Sequence, residues 1–299
     1  MAGPTGTGKS ELALELAQQL SGEIVNADSM QLYRGMDIGT AKVPPAQRRG
    51  VPHHLLDVLD VADVATVASY QQAATAAITE IRERGRTPIL VGGSGLYIQA
   101  VVDRIEFPAT DPVIRARLEQ ELAGVGVLEL FRRLGEQDPA AASAIGPANG
   151  RKIVRALEVI ELTGRPFTAT MPQLGVPAFG AVHLRLDRPT DQLDQRLEDR
   201  VRAMVDAGFL DEVRALDAAG LRTGVTASRA LGYGQLLAVL DGELDIDGAI
   251  AATTSATRRF VRRQRSWFRR DHRMLDLDAG EPYLVDRALA ALVDAAAVK

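Results

Sequence analysis

Apolar positions along the chain follow a helical period in some segments and a strand period in others. Over residues 11–20, Leu12, Ala13, Leu14, Leu16 and Ala17 keep a helical rhythm. Residues 23–28 carry Ile24 and Val25 and then turn polar at Asn26 and Asp28, which predicts a short strand. Residues 67–84 are alanine-rich with Ile78 and Ile81 on one face, predicting a helix, and residues 87–91 read as a buried strand stopped by Gly92-Gly93. Helix and strand alternate here, as in a parallel α/β sheet. From about Asp111 the pattern changes. Residues 111–134 and 149–163 read as helices, with breaks at Gly146-Pro147 and Gly164-Arg165-Pro166, and no strand is expected among them. Residues 182–186 then alternate like a strand, and Arg188-Pro189-Thr190 leads into another helix. Residues 255–273 and the alanine-rich residues 285–297 complete the predicted helices. The expected fold class is α/β: a parallel sheet core flanked by helices, with an all-helical insertion domain. The core is expected over residues 1–110 and 181–299, and the insertion over 111–180.

Composition narrows the class. With 46% hydrophobic and 25% charged residues, the chain is ordinary for a globular protein, and 4% aromatics imply an aliphatic core. There is no cysteine, which excludes disulfides and cysteine-based zinc sites and fits a reducing, cytoplasmic setting. No apolar run is long enough for a membrane span, and Met1-Ala2-Gly3 does not resemble a signal peptide. Net charge is −4, but residues 255–273 hold eight arginines and one aspartate. A basic segment on an acidic body is the footprint of a polyanion contact. The insertion, by contrast, is charged but balanced.

The strongest chemical signal is Gly3-Pro4-Thr5-Gly6-Thr7-Gly8-Lys9-Ser10, a complete G-x-x-x-x-G-K-S phosphate loop followed by a helix. Its backbone N–H groups turn toward phosphate oxygens, Lys9 adds charge, and Ser10 can ligate Mg²⁺, so the expected parallel sheet core is P-loop NTPase-like. Taken alone, such a loop suggests a nucleotide such as ATP. Only Met1 and Ala2 precede Gly3, so the supporting strand is expected upstream of this sequence and the loop is expected to be poorly anchored. The strand at residues 89–91 ends in glycines rather than in the aspartate of phosphate-hydrolysing relatives, and Asp28 ends the other strand.

Further motifs are specific. Residues 27–42, Ala-Asp-Ser-Met-Gln-Leu-Tyr-Arg-Gly-Met-Asp-Ile-Gly-Thr-Ala-Lys, resemble the segment that follows the P-loop in bacterial tRNA dimethylallyltransferases. Gly92-Gly93-Ser94-Gly95-Leu96-Tyr97, the run from Arg151 to Val159 with Thr163-Gly164, Leu231-Gly232-Tyr233, and the run from Arg262 to Arg269 resemble later motifs of that family. The resemblance covers most of the chain. It implies transfer of a dimethylallyl group from dimethylallyl diphosphate to N6 of the adenosine just 3′ of the anticodon, with diphosphate leaving. It also implies Mg²⁺ as cofactor and the tRNA anticodon stem-loop as partner; no obligate protein partner is evident.

The resemblance assigns roles. Asp28 would be the general base, a carboxylate at a strand's C-terminal end; a helix cap or a metal partner is the alternative. Gly3 to Ser10 and Arg200 would hold the diphosphate, with Thr40 and Lys42 as weaker candidates. Ser94 stands where the family usually has threonine, and Arg115 matches an arginine associated with activity, with a surface ion pair as the alternative. Asp28, Ser29, Met30 and Gln31 would contact tRNA, as would Arg151, Lys152, Ile153, Val154 and Arg155, of which Ile153 and Val154 read as core. Arg229 and the run Arg262, Arg263, Gln264, Arg265, Trp267 and Arg269 complete the tRNA set. On one helix, Arg258, Arg262, Arg265 and Arg269 share a face with almost no acidic residues beside them in sequence, which favours phosphate contacts. His53, His54, His183 and His272 show no metal-ligand spacing. A small-molecule P-loop kinase, an adenylate prenyltransferase and an RNA-binding module with a relict loop remain as rival readings.

Overall fold

The computed structural model describes residues 1–170 and 174–297. They form two compact units, one comprising Met1–Val102 and Val176–Lys299, the other Asp103–Gly175.

The first unit is built on parallel strands. Helix α1 (Lys9–Gln19) leaves the phosphate loop and leads to β1 (Gly22–Asn26). The two-residue β2 (His53–His54) pairs with β1 on one side and β3 (Thr87–Val91) pairs on the other, all parallel, with α2 (Val67–Glu83) crossing between β2 and β3. Thr66 caps α2 by accepting the Ser69 N–H, and Tyr70, Ala74, Ile78 and Ile81 bury its inner face. Helix α3 (Gly95–Val102) follows the glycine turn after β3.

After the second unit the chain re-enters at β4 (His183–Asp187), which pairs in parallel with β5 (Met274–Asp278). Ala2 joins the two sheets. Its N–H donates to the Leu184 carbonyl at 2.8 Å, its carbonyl accepts the Leu186 N–H at 2.9 Å, and it bridges Gly92 on the other side. The Met1 amino group donates to the Leu90 carbonyl at 2.6 Å. The loop expected to be poorly anchored is therefore held between β3 and β4 by backbone hydrogen bonds. Helix α1 packs Leu12 and Leu16 toward β4 and Ala13, Leu14 and Ala17 toward β1, so it is buried on two faces.

The second unit is helical: α4 (Pro112–Val125), α5 (Val127–Gln137), α6 (Pro139–Ile145) and α7 (Gly150–Thr163). Leu118, Leu130, Leu134, Ile153, Val154 and Leu157 form its core. The single helix expected over 111–134 is two, broken at Gly126 with φ at +83°. Short α6 was not expected; Asp138 caps it by accepting the Ala141 N–H.

The rest of the first unit is α8 (Thr190–Asp206), α9 (Phe209–Ala218), α10 (Tyr233–Leu240), α11 (Ile246–Phe268) and, after β5, α12 (Leu284–Ala297). Helix α11 differs from the element expected over 255–273: it starts at the Asp245 cap, ends at Phe268, and is followed by β5, a strand the sequence pattern did not reveal. No described helix is long and apolar enough to cross a membrane.

Candidate active site

The phosphate loop closes on itself and on α11. Lys9 Nζ donates to the Pro4 carbonyl at 2.6 Å, and Thr7 Oγ1 donates to the same oxygen at 3.0 Å. Gln264 Oε1 accepts the Thr5 N–H at 3.0 Å while its Nε2 donates to the Gly93 carbonyl at 3.0 Å, so one α11 side chain ties the loop to the turn after β3. Burial pulls the Lys9 ammonium down to about 8; Asp28 and Asp187 resist this and Arg200 adds to it. Ser10 is exposed at the start of α1.

Asp28 stands just beyond β1, half-buried. Asn26 orients it, accepting the Asp28 N–H at 2.9 Å and donating to the Asp28 carbonyl at 3.0 Å. Asp28 Oδ1 accepts the Met30 N–H at 2.9 Å, and Oδ2 takes no hydrogen bond among the described residues. Ser94 Oγ accepts the Ser29 N–H at 3.2 Å, and the Ser94 N–H donates to the Ala27 carbonyl, so the glycine turn and the Asp28 segment are fixed to each other.

Asp28 opens into a cavity of about 270 Å³. Thr5, Ser29, Met30 and Ser94 line it, and so do the guanidinium groups of Arg200, Arg229 and Arg263; Asp28 is the one carboxylate among its lining residues. Arg200, on α8, makes no ion pair or hydrogen bond among the described residues, and burial lowers its affinity for its proton while Asp28 supports it. Arg263 lies over the Phe260 ring at 5.6 Å. Much of the rest of the wall is apolar, with Leu197, Val201, Met204 and Phe209 prominent. A cationic end with a phosphate loop beside it, a free carboxylate oxygen and an apolar wall suit a ligand with an anionic head and a short hydrocarbon body.

Several expected contacts have other roles. Lys42 is buried and does not face the loop: its Nζ donates to the Tyr33 carbonyl at 2.9 Å and pairs with Asp37 and Asp57, each at 2.6 Å. Thr40 lines the cavity, but its hydroxyl donates to the Met36 carbonyl at 2.6 Å. Gln31 spends its amide N–H on the Thr40 carbonyl at 3.1 Å. Ile153 and Val154 are core, so they present no side chain to tRNA; Arg151 and Lys152 are exposed. Arg155 donates to the Pro108 and Ala109 carbonyls and pairs with Glu158, a fully buried carboxylate that also holds Arg115 and the Asp111 N–H. Arg115 thus sits in the helical unit as part of that buried pairing.

The arginine face of α11 is half neutralised. Arg265 wraps Asp187, the Thr190 hydroxyl and the Arg188 carbonyl, and Arg258 approaches Glu198 at 3.4 Å. Gln264 is buried in the contacts above. Trp267 packs on Gly95, where an added Cβ would lie 2.3 Å from the indole ring. Arg262, Arg263 and Arg269 remain exposed and without a carboxylate partner among the described residues. Among groups the sequence reading did not single out, Glu212 on α9 accepts backbone N–H bonds from the loop that carries Thr40. No local pattern announces it, because its partners lie far away in sequence.

Comparison with known proteins finds relatives over nearly the whole chain. The family described as IPP transferase matches residues 31–271. The tRNA dimethylallyltransferase of Saccharopolyspora erythraea is 60% identical over 292 residues, covering 98% of this chain and 94% of that protein. The corresponding Nocardia farcinica protein is 57% identical over 297 residues, covering 99% and 95%. Among solved structures, the full-length tRNA isopentenylpyrophosphate transferase from Bacillus halodurans superposes with a TM-score of 0.73 at 37% identity, covering 99% of this chain and 97% of that one. A eukaryotic dimethylallyltransferase captured acting on tRNA gives a TM-score of 0.81 at 26% identity, covering 100% of this chain and 79% of that one. A phosphate loop beside a free aspartate, in a chain this close to these relatives over nearly its whole length, belongs to the IPP transferase family.

Proposed function

We propose that the chain transfers the dimethylallyl group of dimethylallyl diphosphate to the exocyclic N6 of the adenosine immediately 3′ of the anticodon in tRNA. The observation that carries this reading is Asp28, whose Oδ2 takes no hydrogen bond among the described residues and which shares a cavity beside the phosphate loop with Arg200, Arg229 and Arg263.

The reaction is a displacement. The amine nitrogen attacks C1 of the donor, the C1–O bond breaks, and its electron pair leaves with diphosphate. The nitrogen gives its proton to Asp28 Oδ2. Charge building on the departing diphosphate meets Lys9, Arg200 and the loop N–H groups, which are in place before the reaction. The adenosine must leave its stack to reach the cavity. Arg151 and Lys152, with Arg229, Arg262, Arg263 and Arg269, supply cationic groups for the anticodon stem-loop.

Magnesium fits this donor set as an ion held mainly by substrate. Ser10 offers one exposed hydroxyl beside the loop, and no cluster of His, Asp or Glu among the described residues is built to hold a metal. Mg²⁺ commonly takes one or two protein oxygens and completes its shell with phosphate oxygens and water. Bound there, it would neutralise the leaving group.

The test is direct. Purified protein is incubated with dimethylallyl diphosphate, Mg²⁺ and unmodified tRNA, and the nucleosides are analysed by mass spectrometry. Isopentenyl-adenosine in the anticodon loop is expected; its absence, or phosphoryl transfer from ATP in its place, would refute the reading.

A further inference from the structure

Glu212 gathers the wall of the Asp28 cavity onto one carboxylate. Its Oε2 accepts the Asp37 N–H at 3.0 Å and the Ile38 N–H at 2.7 Å. Its Oε1 accepts the Gly39 N–H at 3.1 Å and the Tyr233 hydroxyl at 2.7 Å. Successive backbone N–H groups that converge in this way form an anion-binding nest, and here the chain supplies the anion itself. Burial first, and then the Glu212 charge, push the Tyr233 hydroxyl far above its ordinary value, so it stays a proton donor to Glu212.

The same loop is fastened a second time, by Lys42 to Asp37. Between these ties, Gly39 and Thr40 line the cavity together with Asp28, and so do Phe209 and Tyr233. The packing leaves no slack: a Cβ on Gly39 would lie 2.2 Å from the Phe209 ring and 2.7 Å from Tyr233. Phe209 and Tyr233 meet edge to face at 4.9 Å. Glu212 therefore bonds two wall segments distant in sequence, the 37–39 loop and Tyr233, to the helix that also carries Phe209.

We infer that Glu212 is a positioning residue for prenyl transfer: it holds the 37–40 loop and Tyr233 in register, which orients the acceptor amine against Asp28 and keeps water from C1 of the donor. This rests on the proposed reading of the Asp28 cavity. If the wall loosens, water replaces the amine as nucleophile. A water oxygen bonds to C1, the C1–O bond to diphosphate breaks, and the water's proton passes to Asp28, giving dimethylallyl alcohol and free diphosphate.

Glu212→Gln tests this. It keeps the shape but turns an N–H donor toward groups that are themselves donors. Prenyl transfer to tRNA is expected to fall at least about tenfold, since small misplacements of reacting groups carry large rate costs. Affinity for inorganic diphosphate should stay within about twofold, because Lys9 and Arg200 are untouched. Diphosphate released per prenylated adenosine should rise above unity, and Glu212→Asp, which keeps the charge, should bring that ratio back toward unity. A purely structural tie makes a different forecast: transfer falls only with the folded fraction seen in thermal unfolding, and the ratio stays at unity in every variant. That result overturns the inference while leaving the proposed function intact. A wild-type protein that makes no prenylated adenosine removes the functional reading itself.

Discussion

A half-buried guanidinium that makes no ion pair or hydrogen bond among the described residues is costly in the free protein, and Arg200 is in that state, with the charge of Asp28 offsetting only part of the cost of its burial. Replacing it separates function from stability by sign. Arg200→Gln is expected to leave the melting temperature unchanged or higher, because a strained charge is removed. It should weaken inorganic diphosphate binding by about tenfold to a hundredfold, the range for a lost charge-assisted hydrogen bond. Calorimetric titration beside thermal unfolding checks both. Lys9 offers a second test at this scale. Burial holds its ammonium near 8, so the free loop loses this charge as pH rises through that value. Diphosphate affinity is expected to decline through the same window, and Lys9→Arg, which keeps its charge, should flatten the decline. An undiminished wild-type affinity across that window would count against Lys9 as a diphosphate ligand.

Helix α11 shows why a charge pattern needs its neighbours before it means anything. Arg262, Arg265 and Arg269 look equivalent on a helical wheel, yet Arg265 is clamped to Asp187 whereas Arg262 and Arg269 are exposed. The expectations differ accordingly. Arg262→Ala with Arg269→Ala should weaken tRNA binding and reduce its dependence on salt, with little change in melting temperature. Arg265→Ala should lower the melting temperature and leave the salt dependence alone. Filter-binding at several salt concentrations, with thermal unfolding alongside, distinguishes the two. The same contrast marks how far the sequence could be read. Helices α2 and α7 and strand β3 were legible because their apolar spacing is regular and their ends carry caps or glycines. The α4–α5 break was hidden because Gly126 lies within the uncharged, largely apolar run Leu122-Ala123-Gly124-Val125-Gly126-Val127-Leu128, which reads as one continuous helical segment. Strand β5 was hidden because its short Met-Leu-Asp-Leu-Asp run needs β4 beside it to be a strand at all. Asp28 and the phosphate loop could be found locally. Glu212 and the clamped partners of Arg265, Arg155 and Lys42 could not, since each acquires its role from residues brought near only by folding.

At the scale of the whole molecule, the chain forms two separately cored units. The phosphate loop, Asp28 and Arg200 lie in one; Arg151 and Lys152 lie in the other, whose buried carboxylates include Glu158. Glu158→Ala strands Arg115 and Arg155 without their carboxylate. The cost is expected to be about 3 kcal/mol, toward the low end for a broken buried pair because Arg115 keeps 37% of its side chain in solvent. Inorganic diphosphate affinity should be unaffected and tRNA affinity reduced; a parallel loss of both would show that the units do not divide the substrates in this way. The claim that joins them is that one carboxylate takes the proton while the loop takes the leaving group. Asp28→Asn probes it with least disturbance, since the amide oxygen can still accept the Met30 N–H and only the base is lost. The decisive measurement is single-turnover prenyl transfer by this variant with tRNA and dimethylallyl diphosphate both saturating. A rate lowered by at least about 10², with both affinities retained, is the expected result; a rate near that of the wild type in a folded protein would contradict Asp28 as the base.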